Sequence, residues 1–417
     1  MQSPDAFPPA RHDLDHDLRT RGYWNSPWCI LGLVLLPATF LMAIDKQAMV
    51  VMAPQIQNSL GCSLGQISNV ISAYSFTYAL CQIPAGWVCR QLGAARTYAL
   101  ACLFWSVALL STAFATTIAE LILCRALLGI GQAPDWTAAL ITVQQRFSSI
   151  HRSSVIAILL AALSLGAVVG APLSVFLMTL LSWRLCFAIY GTAGILLFGI
   201  LLAYSRKAAE PSVPQNRASM TEPFALSRLF SIGGAYFCLM GVEGFFLALF
   251  PLYLRNTFHL NMSHVAWYVS ASYLVILLSK LLGGVASDML LRAGFSQWRA
   301  RVPLGIAGLG GGTAFLAVAL MMSSGTAMLP LALIAAAFLG LGQISIWSCV
   351  QEFGGASTAQ VSSWTQFLGN LSVAVVPLAM SWSVTLLGDW WLADGMLVFL
   401  GLAGVRALTC VRAPIRA

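Results

Sequence analysis

The sequence predicts an all-α membrane protein built as two six-helix halves, with both termini in the cytoplasm. Three observations predict it. Apolar runs of membrane-spanning length recur along almost the whole chain, basic residues gather in the connections of one side, and a single long polar connection separates the runs into two equal sets. Only 9% of the 417 residues are charged and 59% are hydrophobic, whereas an average soluble domain carries roughly 25% charged residues. A water-soluble fold of this length needs a polar exterior; a lipid-facing one does not. The formal net charge of +8 raises the question of nucleic acid. The basic residues form short clusters between apolar runs rather than a stripe or tail, so no nucleic-acid partner is expected.

A hydrocarbon core needs roughly 20 apolar residues per helix. Such runs lie near 28–54, 66–88, 97–116, 118–141, 154–181 and 185–204, then 229–254, 264–287, 303–322, 327–349, 360–387 and 391–411. The first, from Trp28, is too long for the apolar region of a signal peptide and is expected to remain as a membrane helix. Residues 1–27 read as a cytoplasmic tail. Within it, His12-Asp13-Leu14-Asp15-His16-Asp17 reads as a flexible solvated stretch rather than a metal site. The ten cysteines lie mostly inside apolar runs with no metal-ligand spacing, as small membrane-core residues do. No metal or cofactor is expected.

Orientation follows from charge. Lys46, Arg125 and Lys280 fall inside spans. With a cytoplasmic N-terminus only Arg184 and Arg255 face outward, and every other Lys and Arg faces inward, which is the positive-inside pattern of a bacterial inner-membrane protein. The polar connection 205–228 contains Pro211, Pro214 and Pro223 and divides a six-span bundle at 28–204 from another at 229–417. An internal echo supports the division: Gly86-Trp87-Val88-Cys89-Arg90 closes the second span, and Gly284-Val285-Ala286-Ser287-Asp288, followed by Arg292, closes the eighth.

Ionisable groups in hydrocarbon cost at least roughly 2.5–3.5 kcal/mol each and usually mark a pathway. Asp45 and Lys46 lie in the first span, Arg125 and Asp135 in the fourth, Glu243 in the seventh and Lys280 in the eighth. The plain alternative for each is a static ion pair or a snorkelling end. At a rise of roughly 1.5 Å per residue, Asp45 sits about 14 Å and Arg125 about 10 Å below the outer ends of their spans, so the two can meet. Gln132 lies two turns from Arg125 on the same helical face. Glu243 and Lys280 also share a depth and form a candidate second charge pair.

A span count of six plus six with a central cytoplasmic linker is the layout of the major facilitator transporters. Ala43-Ile44-Asp45-Lys46-Gln47, the run Ser72-Ala73-Tyr74-Ser75-Phe76-Thr77-Tyr78 with Gln82-Ile83-Pro84-Ala85-Gly86-Trp87, and Arg125 to Pro134 resemble the first, second and fourth helices of the anion:cation symporter family. That family contains galactonate, glucarate and hexuronate permeases, sialin and the vesicular glutamate transporters. Leu281-Leu282-Gly283-Gly284 through Ser287-Asp288, and Gly369-Asn370, are similar to its eighth and eleventh helices. The resemblance implies a proton-driven importer of sugar acids or related carboxylates, acting as a monomer. It implies Asp45 as the proton site, Arg125 as its partner and Lys46 as an anion contact. It places Tyr78, Gln132, Trp347 and Asn370 in the substrate cavity, and Arg90, Asp288 and Arg292 at the cytoplasmic gate. Departures from the family pattern are Gln132 for a Glu, Lys46 for an Arg, Leu163 for a Gln, and Arg90-Gln91 where an Asp precedes a basic residue. Asp135 and Glu243 are candidates to replace the acid missing at position 132.

An exporter or antiporter on the same fold is the competing reading. Gly166-xxx-Gly170-Ala171-Pro172 partly resembles the glycine–proline motif of facilitator antiporters, although close helix packing with a kink explains it as well. A receptor is disfavoured because nothing is appended to the bundle, and an enzyme because no nucleophile, metal or nucleotide motif appears.

Overall fold

The computed structural model describes residues 26–207, 223–260, 262–354 and 357–411. The acidic-histidine tail, the middle of the predicted linker and the last six residues lie outside that set. The described residues form α1 (Pro27–Leu60), α2 (Leu64–Leu92), α3 (Ala94–Thr112), α4 (Ile118–Arg146), α5 (Ser149–Leu180) and α6 (Trp183–Lys207). Then follow α7 (223–258), α8 (Met262–Arg292), α9 (Gln297–Leu320), α10 (Gly325–Gly354), α11 (Thr358–Leu387) and α12 (Trp391–Thr409). Two rods contain a π-turn, α1 at Leu31–Leu35 and α7 at Phe245–Leu249.

Local chemistry sets the helix ends. Ser63 and Gln66 form a reciprocal capping box at the start of α2, and Thr117 and Glu120 form another at the start of α4. Each box satisfies backbone donors that a helix start leaves free. Gly61, at φ 64°, ends α1 in the left-handed conformation that a Cβ disfavours. Several helices outrun the predicted spans. The fifth begins at Ser149 rather than 154, the ninth at Gln297 rather than 303, and the seventh continues past 254 to 258. Apolarity marks only the part of a helix that lipid or core must cover, and these extensions carry polar residues that cap and join helices. The connection predicted at 205–228 is shortened the same way, because α6 runs to Lys207 and α7 starts at Pro223.

Among the described residues, nine helices are long and apolar enough to cross a membrane. The three that fall short are α2, α4 and α7, which carry Tyr74, Tyr78, Arg125, Gln132, Tyr236 and Glu243 of the site described below.

Packing follows one plan twice. α1 lies on α5, α2 on α4, and α3 on both α4 and α6; correspondingly α7 lies on α11, α8 on α10, and α9 on both α10 and α12. The two sets meet through α5 on α8 and α2 on α11, and the glycines of the sequence echo sit at these contacts. A Cβ on Gly86 would collide with the Ser363 side chain and lie 2.9 Å from Ala359 O. One on Gly284 would lie 2.6 Å from Ala157 Cβ and 2.7 Å from Ser153 O. Gly166 and Gly170 have the same use inside the first set, pressing α5 against Phe40, Ala43 and Ile44 of α1. Close packing therefore accounts for that motif.

Gly284→Leu is expected to force α5 and α8 apart. Overpacking typically costs about 1–3 kcal/mol, and spin labels on the facing ends of α5 and α8 should report a longer distance. An unchanged distance at full thermal stability would show that the backbone contact is not needed.

Candidate functional site

α1 and α4 bring together what the sequence spacing predicted. Arg125 Nη1 lies 3.4 Å from Asp45 Oδ1, and Gln132 Nε2 donates to Asp45 Oδ2 at 3.1 Å. Tyr74 of α2 donates its hydroxyl to Gln132 Oε1 at 2.8 Å. Asp45 is fully buried and Arg125 nearly so. The guanidinium stacks on the Phe187 ring of α6, 4.8 Å from its centroid, and its Nε and Nη2 have no hydrogen-bond partner. A charge-assisted contact is normally about 2.7–2.9 Å long, so this pair is loose and under-bonded. Gln132 does more than occupy a missing acid's place: it holds the second carboxylate oxygen and ties it to Tyr74.

Lys46, next along α1, takes a different direction. Its ammonium lies 4.7 Å from the Tyr78 ring centroid and 5.5 Å from that of Tyr74. The two rings stack 5.6 Å apart at 20°. Such a cation–π contact stabilises a positive charge without neutralising it. Lys46 is half-buried, so its charge remains available to an anion. Tyr78 also accepts from Gln366 Nε2 of α11 at 3.4 Å, a link across the two helix sets.

The other predicted residues have separate places. Asn370 donates to Gln366 O, at 2.8 Å, on its own helix. Trp347 is wholly buried, packed edge-on against Trp136 at 5.2 Å and Tyr236 at 5.0 Å between ring centroids. It therefore fills the joint between α4, α7 and α10. Glu243 and Lys280 do pair, with Nζ donating to Oε1 at 3.2 Å. Asp135 faces into the first helix set, where Thr39, Met42, Tyr98 and Trp136 line a small cavity with it, and its Oδ1 has no hydrogen-bond partner.

A repeat in the sequence marks part of this site. Gly129, Gly131, Gln132 and Trp136 of α4 recur in the same spacing as Gly340, Gly342, Gln343 and Trp347 of α10. The structure sets Trp136 against Trp347, and Gln343 Nε2 donates to the Tyr236 hydroxyl at 3.4 Å, as Gln132 engages Tyr74. Tyr236, Gln343 and Gln366 are thus site residues that apolarity and charge alone do not reveal.

At the end of the molecule that holds the α4–α5 loop, a polar network joins the two sets. Asp288 Oδ1 accepts from Ser153 N at 3.3 Å and Oδ2 from Ser154 N at 2.7 Å, near the start of α5. Its cationic partner is Arg301 of α9, at 3.0 Å, and not Arg292, which lies exposed beside His151 Nδ1 at 3.0 Å. Arg301 is fully buried and also donates to Ser153, to Ser287 at 2.6 Å and to Ser149 O at 2.8 Å. Glu352 adds ion pairs to Arg152 at 3.4 Å and Arg301 at 3.6 Å. In the symmetric place, Arg90 reaches the start of α11. With its amide turned so that Oε1 faces α2, Gln360 accepts from Arg90 Nη1 at 2.8 Å and donates to Ser357 O at 3.1 Å. A helix start repels a cation, and the Gln360 amide lies between the two.

Residues 35–377 match the family model of the Major Facilitator Superfamily. The chain belongs to that superfamily. Its relatives include the D-galactonate transporter of Escherichia coli O6:H1, 28% identical over 384 residues that cover 84% of this chain and 88% of that protein. A probable galactarate/D-glucarate transporter of Bacillus subtilis, GudP, is 26% identical over 423 residues, covering 91% and 90%. Among solved structures, the proton:xylose symporter XylE superposes with a TM-score of 0.70 at 12% identity, covering 91% of this chain and 94% of that one. A bacterial homologue of the iron transporter ferroportin, in an outward-facing state, gives 0.66 at 14% identity, covering 90% and 97%. At these identities the structures establish the facilitator fold. The family and the relatives are transporters, not enzymes.

Arg301→Gln would leave Asp288 buried without its cation and Glu352 with Arg152 alone. Breaking one side of a buried pair typically costs about 3–5 kcal/mol. A marked fall in the unfolding temperature of the purified facilitator is expected, and an unchanged one would show that the serines hold the network unaided.

Proposed function

We propose that this facilitator is a proton-coupled secondary transporter of a small organic anion, a sugar acid or related carboxylate, in the bacterial inner membrane. Twelve crossings, with both termini cytoplasmic, would alternate access to a site between the two helix sets. The observation that carries the reading is the loose Asp45–Arg125–Gln132 cluster with the cation Lys46 beside it. The names of the relatives, which carry galactonate, galactarate and glucarate, support the substrate class.

The geometry supplies a coupling logic. While Asp45 is ionised it holds one edge of Arg125. A proton on Asp45 removes that attraction and frees guanidinium donors for an incoming carboxylate, so proton and anion are taken up together. Lys46, held on the faces of Tyr74 and Tyr78, draws the anion into the half-buried region beside α2. Tyr78, Gln366 and Asn370 would meet substrate hydroxyls from α2 and α11. With the termini cytoplasmic, the Asp288–Arg301–Glu352 network and the Gly86 and Gly284 contacts lie at the cytoplasmic end, so the conformation described here is closed to the cytoplasm.

Asp45→Asn is expected to abolish accumulation of D-galactonate driven by a proton gradient in proteoliposomes while leaving exchange across the membrane. Full gradient-driven accumulation by this variant would sink the proton assignment.

Lys46→Gln is expected to weaken D-galactonate binding about tenfold or more, because a hydrogen bond to a charged group contributes roughly 1.5–3 kcal/mol. Binding of neutral D-galactose should change far less. Equal losses for the acid and the neutral sugar would remove Lys46 from anion recognition.

A further inference from the structure

Buried ion pairs in this molecule are of two kinds. Asp288 and Arg301 are densely bonded: the carboxylate accepts from two backbone N–H groups and a guanidinium, and the guanidinium donates to two serines and a carbonyl besides, leaving only its Nε without a partner. That is what a permanent buried pair requires, since the cost of desolvating both ions is repaid only when their remaining hydrogen-bond capacity is met. Glu243 and Lys280 are the opposite. Each retains only 6% exposure, yet one 3.2 Å contact joins them and Glu243 Oε2 has no partner. Asp45 and Arg125 share this under-bonded state.

Position strengthens the comparison. The shift in numbering that lays Gly86 on Gly284 also lays the end of α1, Leu60, on the end of α7, Phe258. It lays the start of α2, Leu64, on that of α8, Met262, and Asp45 on Glu243. The two acids therefore occupy equivalent places in the two helix sets. The same shift lays Gln82 on Lys280. Gln82 is wholly buried and neutral, so the fold does not require a charge there, and Lys280 is specific to the acid it faces. The π-turn of α7 begins two residues after Glu243, at Phe245, and such turns inside α-helices are frequent at functional sites.

We propose that Glu243 is a second proton-carrying residue of the transport cycle, with Lys280 as its counter-charge. The inference rests on the proton coupling proposed above. The proton adds to the unpartnered Oε2, giving a neutral carboxylic acid, while Lys280 stays an ammonium and the ion pair loosens. Loss of the proton on the other side of the membrane restores the pair. Among the described residues, the charged and titratable groups that interact with Glu243 are Lys280 and Tyr273 on α8 and Tyr236 on α7. Of the other helices packed on α7, α10 presents Gln343 to Tyr236 and Met240. α11 and α12 present Ser372, Val376 and Leu400 beside Gly241.

Infrared difference spectra of the purified full-length protein, recorded on acidification without substrate, test this directly. The wild type should show protonated-carboxyl components from Asp45 and Glu243; Glu243→Gln should lack one and Asp45→Asn the other. The double variant Glu243→Gln with Lys280→Met removes both charges, spares the fold an unpaired ammonium, and should lack the same component as Glu243→Gln. In proteoliposomes, Glu243→Gln should still accumulate D-galactonate, but to a limit about tenfold lower under a gradient of one pH unit, the equivalent of one proton. If both Glu243 variants keep the full wild-type carboxyl signal, or if Glu243→Gln keeps the wild-type accumulation limit, the proposal is overturned. Loss of the component in Asp45→Asn alone would overturn it and leave the Asp45 assignment standing. Loss in the Glu243 variants alone would do the reverse.

Discussion

A charge placed among membrane helices has no water to satisfy it, and that constraint organises this protein. Each buried ion must meet a partner from another helix, so each ionic contact also positions helices. Asp45 cannot sit in α1 without drawing in the α4 face that carries Arg125 and Gln132. Gln132 in turn fixes Tyr74 of α2, and the stacked Tyr74–Tyr78 rings support Lys46. One buried carboxylate thus sets the mutual placement of three helices around the candidate site.

How completely a pair is satisfied separates holding from switching. Where the helix sets are pressed together, Arg301 has an oxygen at nearly every donor, and glycines let the backbones approach until a Cβ would collide. Around Asp45 and Glu243 the contacts are few, and polar atoms are left over. A group that must change its protonation state cannot be fully bonded in one state, because the other state would then be far too costly. Loose geometry at the mid-helix acids and dense geometry at the joined end are two answers to the same low-dielectric environment.

The repeat of the fold explains several positions that look arbitrary in isolation. Gln132 and Gln343 stand at equivalent places and each engages a tyrosine; Trp136 and Trp347 stand at equivalent places and pack on each other. Arg90 and Asp288 are also equivalent, yet opposite in charge. Asp288 accepts backbone N–H groups of α5 directly, whereas Arg90 needs the Gln360 amide between itself and the start of α11. The cation is therefore accommodated by one added side chain and not by a different helix arrangement.

The sequence by itself determined the helical class and the meeting of Asp45 with Arg125. Those depend on quantities that are local along a chain: run length, charge between runs, and the fixed rise and pitch of a helix. It also placed Glu243 and Lys280 at one depth, for the same reason. It did not determine that Arg301 rather than Arg292 answers Asp288, because both are basic residues beyond the same span and only the packed position of α9 decides which one reaches it. Nor did it show that Trp347 is wholly buried against Trp136 and Tyr236. Which face of a rod meets which neighbour is set by the simultaneous packing of all the rods. That choice is made in three dimensions, where glycine contacts and buried charges have to be satisfied together.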